Sequence, residues 1–204
     1  MASYCPPYDS PIEDTFAYYA MKFFAPAVEL TSQVELPTGH GTFRVDFLTK
    51  AQRKVAFECD GEEFHDEFRD EFRDALLLGQ GCVDIIYHIP GPVLTYYPHD
   101  ALYLIALWDP ALFRPRERYI ITQLCSPAVK GTHLDRRDER VLVPVPQEER
   151  RGPPFLLSIV RRVRTVPEGR RAHWPFLFKY ASERPGLGLE QLVDARTSEL
   201  MREP

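Results

Sequence analysis

Three strand-like segments follow one another early in the chain, and the second and third carry acids at alternating positions. The segments are residues 28–36, 42–48 and 54–60. Successive side chains of a strand point to opposite faces, so Glu58 and Asp60 share one face of the third segment. If the second and third segments pair as a hairpin, Asp46 lies beside them on that face. The sequence therefore predicts three carboxylates close together on one side of a β-sheet.

Helical segments surround these strands. Ser10, Pro11 and Glu13 are typical of a helix start, as N-cap, first-turn proline and third residue of a capping box. The sequence predicts helices over about residues 11–25, 62–80 and 99–108, and a buried strand over 82–89. This order of helices and strands predicts an α/β fold whose mixed sheet is covered by helices on both sides.

The second half of the chain gives weaker signals. The predicted strands are residues 119–124, 141–145 and 155–166, and residues 189–201 are a predicted terminal helix. Prolines such as Pro144 are frequent here and favour loops and edge strands.

The composition bears on the cellular location of the protein. No run of about 18 apolar residues occurs, so we expect no membrane-spanning helix. The first residues lack the pattern of a secretory signal, and the four cysteines show no CxxC spacing. We therefore expect a cytoplasmic protein without a disulfide framework or a zinc site.

The predicted cluster of Asp46, Glu58 and Asp60 points to a metal ion. Three carboxylates at one place repel one another unless a cation lies among them or some stay protonated. Hard oxygen ligands without cysteine suit Mg²⁺ or Mn²⁺. Such an ion can bind a phosphate oxygen and lower the pKa of a bound water, which are the two requirements for hydrolysing a phosphodiester.

An ordered set of short motifs runs through residues 9–91. In chain order they are Glu13, Gln33, Val45-Asp46-Phe47, Glu58-Cys59-Asp60-Gly61, His65, and then Asp70, Arg73, Leu77 and Gly81. This set resembles the PD-(D/E)XK nuclease superfamily, in the branch related to very-short-patch-repair endonucleases. The resemblance implies a restriction-endonuclease-like, three-layer α/β/α sandwich with a mixed sheet. Residues 1–112 would form the nuclease core, and residues 113–204 a basic, proline-rich C-terminal extension.

The resemblance also implies a function, that of a metal-dependent DNA endonuclease using Mg²⁺ or Mn²⁺. Asp46 and Glu58 match the family's metal-binding carboxylates, and the backbone carbonyl of Cys59 would be a further ligand. Glu13 matches the acid of the first helix, which completes the metal site from across it. By its sequence alone, Glu13 also suits a capping box with Ser10, and both roles can hold together.

One position departs from the pattern of the wider superfamily, which has lysine where this chain has Asp60. Related sequences of this branch often have aspartate there, but the usual partner of the attacking water is then absent. His65 is the candidate to orient that water or the scissile phosphate. By spacing alone, His65 also suits a helix-surface residue paired with Arg69. The charged residues Arg69, Asp70, Arg73 and Asp74 are predicted to form exposed pairs along the same helix.

The net charge of −5 is unevenly distributed along the chain. Residues 1–113 hold 7 basic and 18 acidic residues, whereas residues 114–204 hold 18 basic and 12 acidic residues. A basic surface attracts a polyanion, and arginines can clamp phosphates. The candidate nucleic-acid contacts are Arg44, Arg161, Arg162, Arg164, Arg170 and Arg171. A solvated edge strand is the alternative explanation for any one of them.

Two other functions remain open from the sequence. The same fold could be a catalytically inactive module that binds nucleic acid or a protein partner, and the absent lysine favours this. Alternatively, the proline-rich second half could dock a protein partner while the first half serves as a scaffold. Metal-dependent cleavage distinguishes the first hypothesis from these two.

Overall fold

Six strands form one mixed sheet in the computed structural model, which describes residues 6–50, 52–61, 66–135, 137–145 and 155–202. The strands are β1 (Glu29–Thr38), β2 (Gly41–Lys50), β3 (Lys54–Asp60), β4 (Ile85–Pro90), β5 (Arg140–Val145) and β6 (Phe155–Val163). Their order across the sheet is β1-β2-β3-β4-β6-β5. Strands β3 and β4 are parallel, and the other neighbours are antiparallel. The predicted α/β class with a mixed sheet is confirmed.

Helices precede, separate and follow these strands along the chain. They are α1 (Pro11–Phe23), α2 (Glu67–Gly79), α3 (Gly91–Tyr96), α4 (Pro98–Trp108), α5 (Pro115–Leu124), α6 (Pro127–Lys130), α7 (Trp174–Ser182) and α8 (Leu189–Leu200). Ser10 caps α1 by accepting from the N–H of Glu13, as predicted. Asp66 caps α2 in the same way. No helix in the described part of the chain is long and apolar enough to cross a membrane.

Apolar side chains fill both faces of the sheet. On one face, Phe47 and Phe57 pack with residues of α1 and α4. On the other, Ala56 and Ile86 pack with Leu77 of α2, and α7 and α8 pack on α2 in turn. Because full burial of a side chain such as Phe57 contributes roughly 1.5–3 kcal/mol, both layers stabilise the sheet.

The second half of the chain completes the same sheet. Strand β6 pairs with β4, so that Ile85 lies opposite Val163, and β5 pairs with the outer side of β6. Val141 and Leu157 belong to the same apolar cluster as Phe57. Strands β5 and β6, from the part of the chain predicted as an extension (residues 113–204), thus share a sheet and a core with the predicted nuclease core (residues 1–112).

Two predictions of secondary structure were wrong in this half. Residues 119–124 form the end of α5 and not a strand. Their aromatic and β-branched residues favour a strand, but Pro115 starts a helix there and Ile121 is buried on it. Helix α7 was not predicted, because its Pro175 was interpreted as a loop signal, whereas it lies in the first turn.

Candidate metal centre

The side chain of Asp46 is hydrogen-bonded to the end of β3. The regular pairing of β2 and β3 ends at Phe47 and Phe57. Asp46 and Glu58 are the next residue of each strand. Beyond this pair, Asp46 Oδ2 accepts a hydrogen bond of 2.8 Å from the backbone N–H of Cys59. Because Cys59 lies between Glu58 and Asp60, this bond holds Asp46 against the acidic end of β3.

The electrostatics of Asp46 show which acids surround it. Its pKa is raised to about 6, mainly by burial; the N–H of Cys59 opposes this, whereas the charges of Glu13 and Asp60 add to it. Asp46 in turn raises the pKa of Glu58. The structure therefore brings three of the predicted acids, Glu13, Glu58 and Asp60, within electrostatic reach of the fourth, Asp46.

Glu58 is almost fully buried, with 4% of its surface exposed. Its Oε1 lies 3.0 Å from Arg73 Nη2 of α2, yet this oxygen accepts no hydrogen bond within the described residues. Burial outweighs the opposing charge of Arg73 and raises the pKa of Glu58 to about 8. Glu58 is thus a buried carboxyl whose pKa is raised even though a guanidinium group lies beside it.

Glu13 is held from two sides. Its Oε1 accepts a hydrogen bond of 2.9 Å from Ser10 Oγ, and its Oε2 accepts one of 2.6 Å from Gln33 Nε2 of β1. Glu13 therefore takes part in the helix cap and also lies near the other acids. Gln33 itself has a buried Oε1 without a hydrogen-bond partner among the described residues.

His88 of β4 reaches the site from the strand parallel to β3. The two strands are in a register that places His88 beside Glu58. Its Nδ1 lies 3.3 Å from Asp60 Oδ2, and its Nε2 lies 2.8 Å from Asp74 Oδ2. Burial alone would lower the pKa of His88, but Asp74 and Asp60 outweigh it and raise the pKa to about 10. The carboxylates of Asp74 and Asp60 therefore favour the protonated form of the His88 imidazole.

The sequence did not predict a role for His88, and it predicted the wrong environment for Asp74, the partner of His88. Asp74 was predicted to be exposed on α2, but it is fully buried and contacts both His88 and Arg162 Nη1. Burial would raise the pKa of Asp74, yet these two cations hold it well below its usual range. Arg73, also predicted to be exposed, pairs with Glu58. A histidine inside the apolar run of β4 was the signal that could have found this network.

A cleft of about 340 Å³ gives access to the network. Asp60 and His88 line one part of it, and Arg162 and Arg140 of the second half line another. Acids of α2, including Glu71, form the remaining rim. His65, predicted to orient the attacking water, lies outside the described residues.

The predicted arginine contacts for nucleic acid are largely engaged in the protein itself. Arg161 is buried, with Nε and Nη2 on the carboxylate of Asp109, which rules out the surface role predicted for it. The others pair as follows: Arg44 with Asp9, Arg162 with Asp74 and Glu71, Arg164 with Asp84, and Arg170 with Asp135 and Asp138. Arg171 is exposed. The basic surface expected from the sequence is therefore mostly neutralised.

A metal ion at this site would be held mainly by two carboxylates, those of Asp46 and Glu58. In the described ranges, no group of three or more His, Cys, Asp or Glu side chains is arranged to hold a metal ion. Glu13 lies near the cluster, held by Ser10 and Gln33, and its role as a metal ligand stays a prediction. Glu58 Oε1 accepts no hydrogen bond of regular geometry among the described residues, but Arg73 Nη2 lies 3.0 Å from it. Carboxylate oxygens such as those of Asp46 and Glu58 are the type of ligand that Mg²⁺ and Mn²⁺ prefer.

No family model, no curated protein and no solved structure matches this chain.

Proposed function

We propose that this protein is a metal-dependent DNA endonuclease with a restriction-endonuclease-like α/β/α sandwich. The observation that carries the proposal is the pair of carboxyls on neighbouring strands, the partly buried Asp46 and the buried Glu58, whose pKa values are both raised mainly by burial. The order of β1, β2 and β3, followed by α2 and the parallel β4, supports the fold implied by the motif resemblance.

In this proposal, Asp46 and Glu58 hold Mg²⁺ or Mn²⁺, with the carbonyl of Cys59 beside them. When bound, the ion would polarise the scissile phosphate and make a bound water more acidic. Asp46 keeps its orientation through the N–H of Cys59. Glu13 stabilises the arrangement from α1 while Ser10 and Gln33 fix its position.

The protonated His88 supplies the positive charge that the missing lysine leaves open. Held between Asp60 and Asp74, it orients Asp60 toward the cleft side of the acid cluster. Asp60 can then accept a hydrogen bond from an attacking water. Arg73, beside Glu58, provides a second fixed positive charge for a phosphate group.

The test is cleavage of supercoiled plasmid DNA by purified protein with Mg²⁺ or Mn²⁺. We expect nicking by the wild type, and its loss in Asp46→Asn and Glu58→Gln, which keep the size of each side chain. Glu190→Gln is the matched control, since Glu190 is an exposed acid paired with Arg69 on the helical face. Full activity in both site variants would refute the proposal.

One observation favours a second candidate function, a catalytically inactive module that binds nucleic acid or a protein. Each acid of the cluster already has a partner inside the protein: Glu13 has Gln33, Asp46 has the N–H of Cys59, Glu58 has Arg73, and Asp60 has His88. For this candidate we expect salt-sensitive DNA binding with no cleavage in any divalent metal. The same plasmid assay, combined with a binding titration, decides between the two.

A further inference from the structure

A cavity of about 530 Å³ lies at the start of β3, at the opposite end of this strand from the acids. Its volume is within the range of pockets that bind small molecules. Three parts of the chain line it: the connection between α1 and β1, the turn between β2 and β3, and the segment after α4 that contains the short turn Pro110–Leu112. It is separate from the cleft beside Asp60 and His88.

Backbone contacts fix two of these three parts to each other. The N–H of Ala25 donates to the carbonyl of Leu112 over 2.8 Å, and the N–H of Val28 donates to the carbonyl of Ala25 over 2.8 Å. Phe24 and Phe113 join the same two segments by an isolated β-bridge, with their ring centroids 5.0 Å apart. The cavity therefore has a defined shape before any ligand binds, which lowers the cost of binding.

Most of the wall is apolar. Val28, Val55, Trp108 and Leu112 line the cavity and are buried in the protein. Trp108 also brings a hydrogen-bond donor, because its Nε1 is buried and has no acceptor in the described part of the chain. A buried donor without an acceptor is costly. A ligand that carries an oxygen acceptor on an apolar body would remove this cost where its oxygen reaches the indole.

The charged groups of the wall favour an anion. Asp109 lines the cavity, but its carboxylate already accepts hydrogen bonds of 2.8 and 3.0 Å from Arg161, and one from Tyr87 Oη. Arg53, also in the wall, has its Nη1 3.6 Å from Asp109 Oδ1, which is longer than a hydrogen bond. Two guanidinium groups thus share one carboxylate. Because 63% of the Arg53 side chain is exposed, its donors are accessible to a second carboxylate.

We propose that this cavity binds a small organic monocarboxylate, whose apolar part packs against Trp108 and Val55 and whose carboxylate pairs with Arg53. The inference goes beyond the proposed nuclease function and does not depend on it. A neutral apolar molecule would not compensate the excess positive charge at Arg53. A polyphosphate would place several charges against apolar walls without partners. A monocarboxylate matches both parts of the wall.

The test uses cinnamate as the probe and cinnamyl alcohol as its neutral counterpart. Binding is followed through the indole N–H signal of Trp108 in the proton–nitrogen NMR spectrum of the full chain, assigned with Trp108→Phe. Trp174 is the internal reference, because its Nε1 donates to the carbonyl of Val163 and its ring packs on the other face of the sheet. Arg53→Gln removes the proposed cation. Lys50→Gln, the matched control, removes an exposed cation of the same hairpin.

We expect cinnamate to shift the Trp108 signal in a saturable manner and to leave the Trp174 signal in place. Arg53→Gln should bind cinnamate about five-fold more weakly or worse, because a charge-assisted hydrogen bond is lost. Cinnamyl alcohol should bind the wild type more weakly than cinnamate does, and Arg53→Gln should not change its affinity. Lys50→Gln should bind both probes as the wild type does. Ala111→Trp, which fills the cavity from an exposed position, should abolish both shifts.

Three results would overturn the inference. If cinnamate leaves the Trp108 signal in place even in large excess, the cavity takes no such carboxylate. If the wild type binds both probes equally, or Arg53→Gln binds cinnamate as tightly as the wild type, Arg53 does not select an anion. If the Trp108 and Trp174 signals shift together without saturation, the probe binds non-specifically. Plasmid cleavage is measured separately, so none of these results decides the proposed nuclease function.

Discussion

Asp74 of α2 and Arg162 of β6 form a buried ion pair, in which Arg162 Nη1 contacts Asp74 Oδ2. Asp74 belongs to the acidic half of the chain and Arg162 to the basic half. Asp109 and Arg161 form a second buried pair between the two halves, and Asp84 and Arg164 form an exposed one. The two buried pairs join β6 to α2 and to the segment after α4, so opposite charges from the two halves of the chain meet inside the molecule.

Removal of Asp74 should destabilise the protein strongly. Its carboxylate is fully buried and balances both His88 and Arg162, so Asp74→Ala removes the buried counter-ion that these two groups share. We expect a loss of about 3–5 kcal/mol in the free energy of unfolding, measured by urea denaturation. Glu190→Ala, which breaks an exposed pair with Arg69, is the control and should cost about 1 kcal/mol or less. Equal losses in the two variants would show that the Asp74 network does not hold the fold together.

The acid cluster makes the protein less stable as the pH rises. The pKa of Asp46 is raised from 3.8 to about 6, and that of Glu58 from 4.5 to about 8, in both cases mainly by burial. The folded state therefore binds these protons more tightly than the unfolded chain does. Their stabilising contribution is complete at pH values below the unfolded pKa values and is lost as the pH rises through the folded ones.

His88 acts in the same direction at higher pH. Burial would lower its pKa, but Asp74 and Asp60 raise it from 6.5 to about 10, so its contribution is lost as the pH rises from 6.5 toward 10. We expect the Tm in EDTA to fall between about pH 5 and pH 9. In Glu58→Gln this fall should be shallower below about pH 8, because one of the titrating groups is gone. A Tm that rises steadily over this range, in wild type and variant alike, would contradict the assignment.

The first half of the fold could be predicted well because its signals are local. Strand β3 was predicted over residues 54–60 and spans Lys54–Asp60, since alternation defines its faces and Gly61 follows it. The start of α1 at Ser10 was equally clear, because capping depends on neighbouring residues. The closeness of Asp46, Glu58 and Asp60 followed from strand alternation together with one assumed hairpin, and β2 and β3 do pair in that way.

The network around the acids could not be predicted because it depends on distant pairing. Asp74 and Arg73 have the spacing of surface residues on an isolated helix, but α2 is covered by the sheet on one side and by α7 and α8 on the other. Phe72 and Leu76 pack against α7 and α8, whereas Arg73 and Asp74 contact the sheet. Without α7 in the prediction, nothing indicated that α2 is buried on both sides. His88 became a neighbour of Glu58 through the parallel register of β3 and β4. The positive φ of Gln33 likewise has no signature in residue type, since glutamine has no preference for such a backbone.

The central claim is that Asp46 and Glu58 share a divalent cation. The most direct measurement is a crystal structure of the protein soaked with Mn²⁺ at about pH 8, where both carboxyls can ionise, with anomalous data collected at the manganese edge. The account predicts an anomalous peak between the carboxylates of Asp46 and Glu58, close to the carbonyl of Cys59. It would be contradicted by a saturated crystal in which no peak lies between them and Arg73 remains the partner of Glu58.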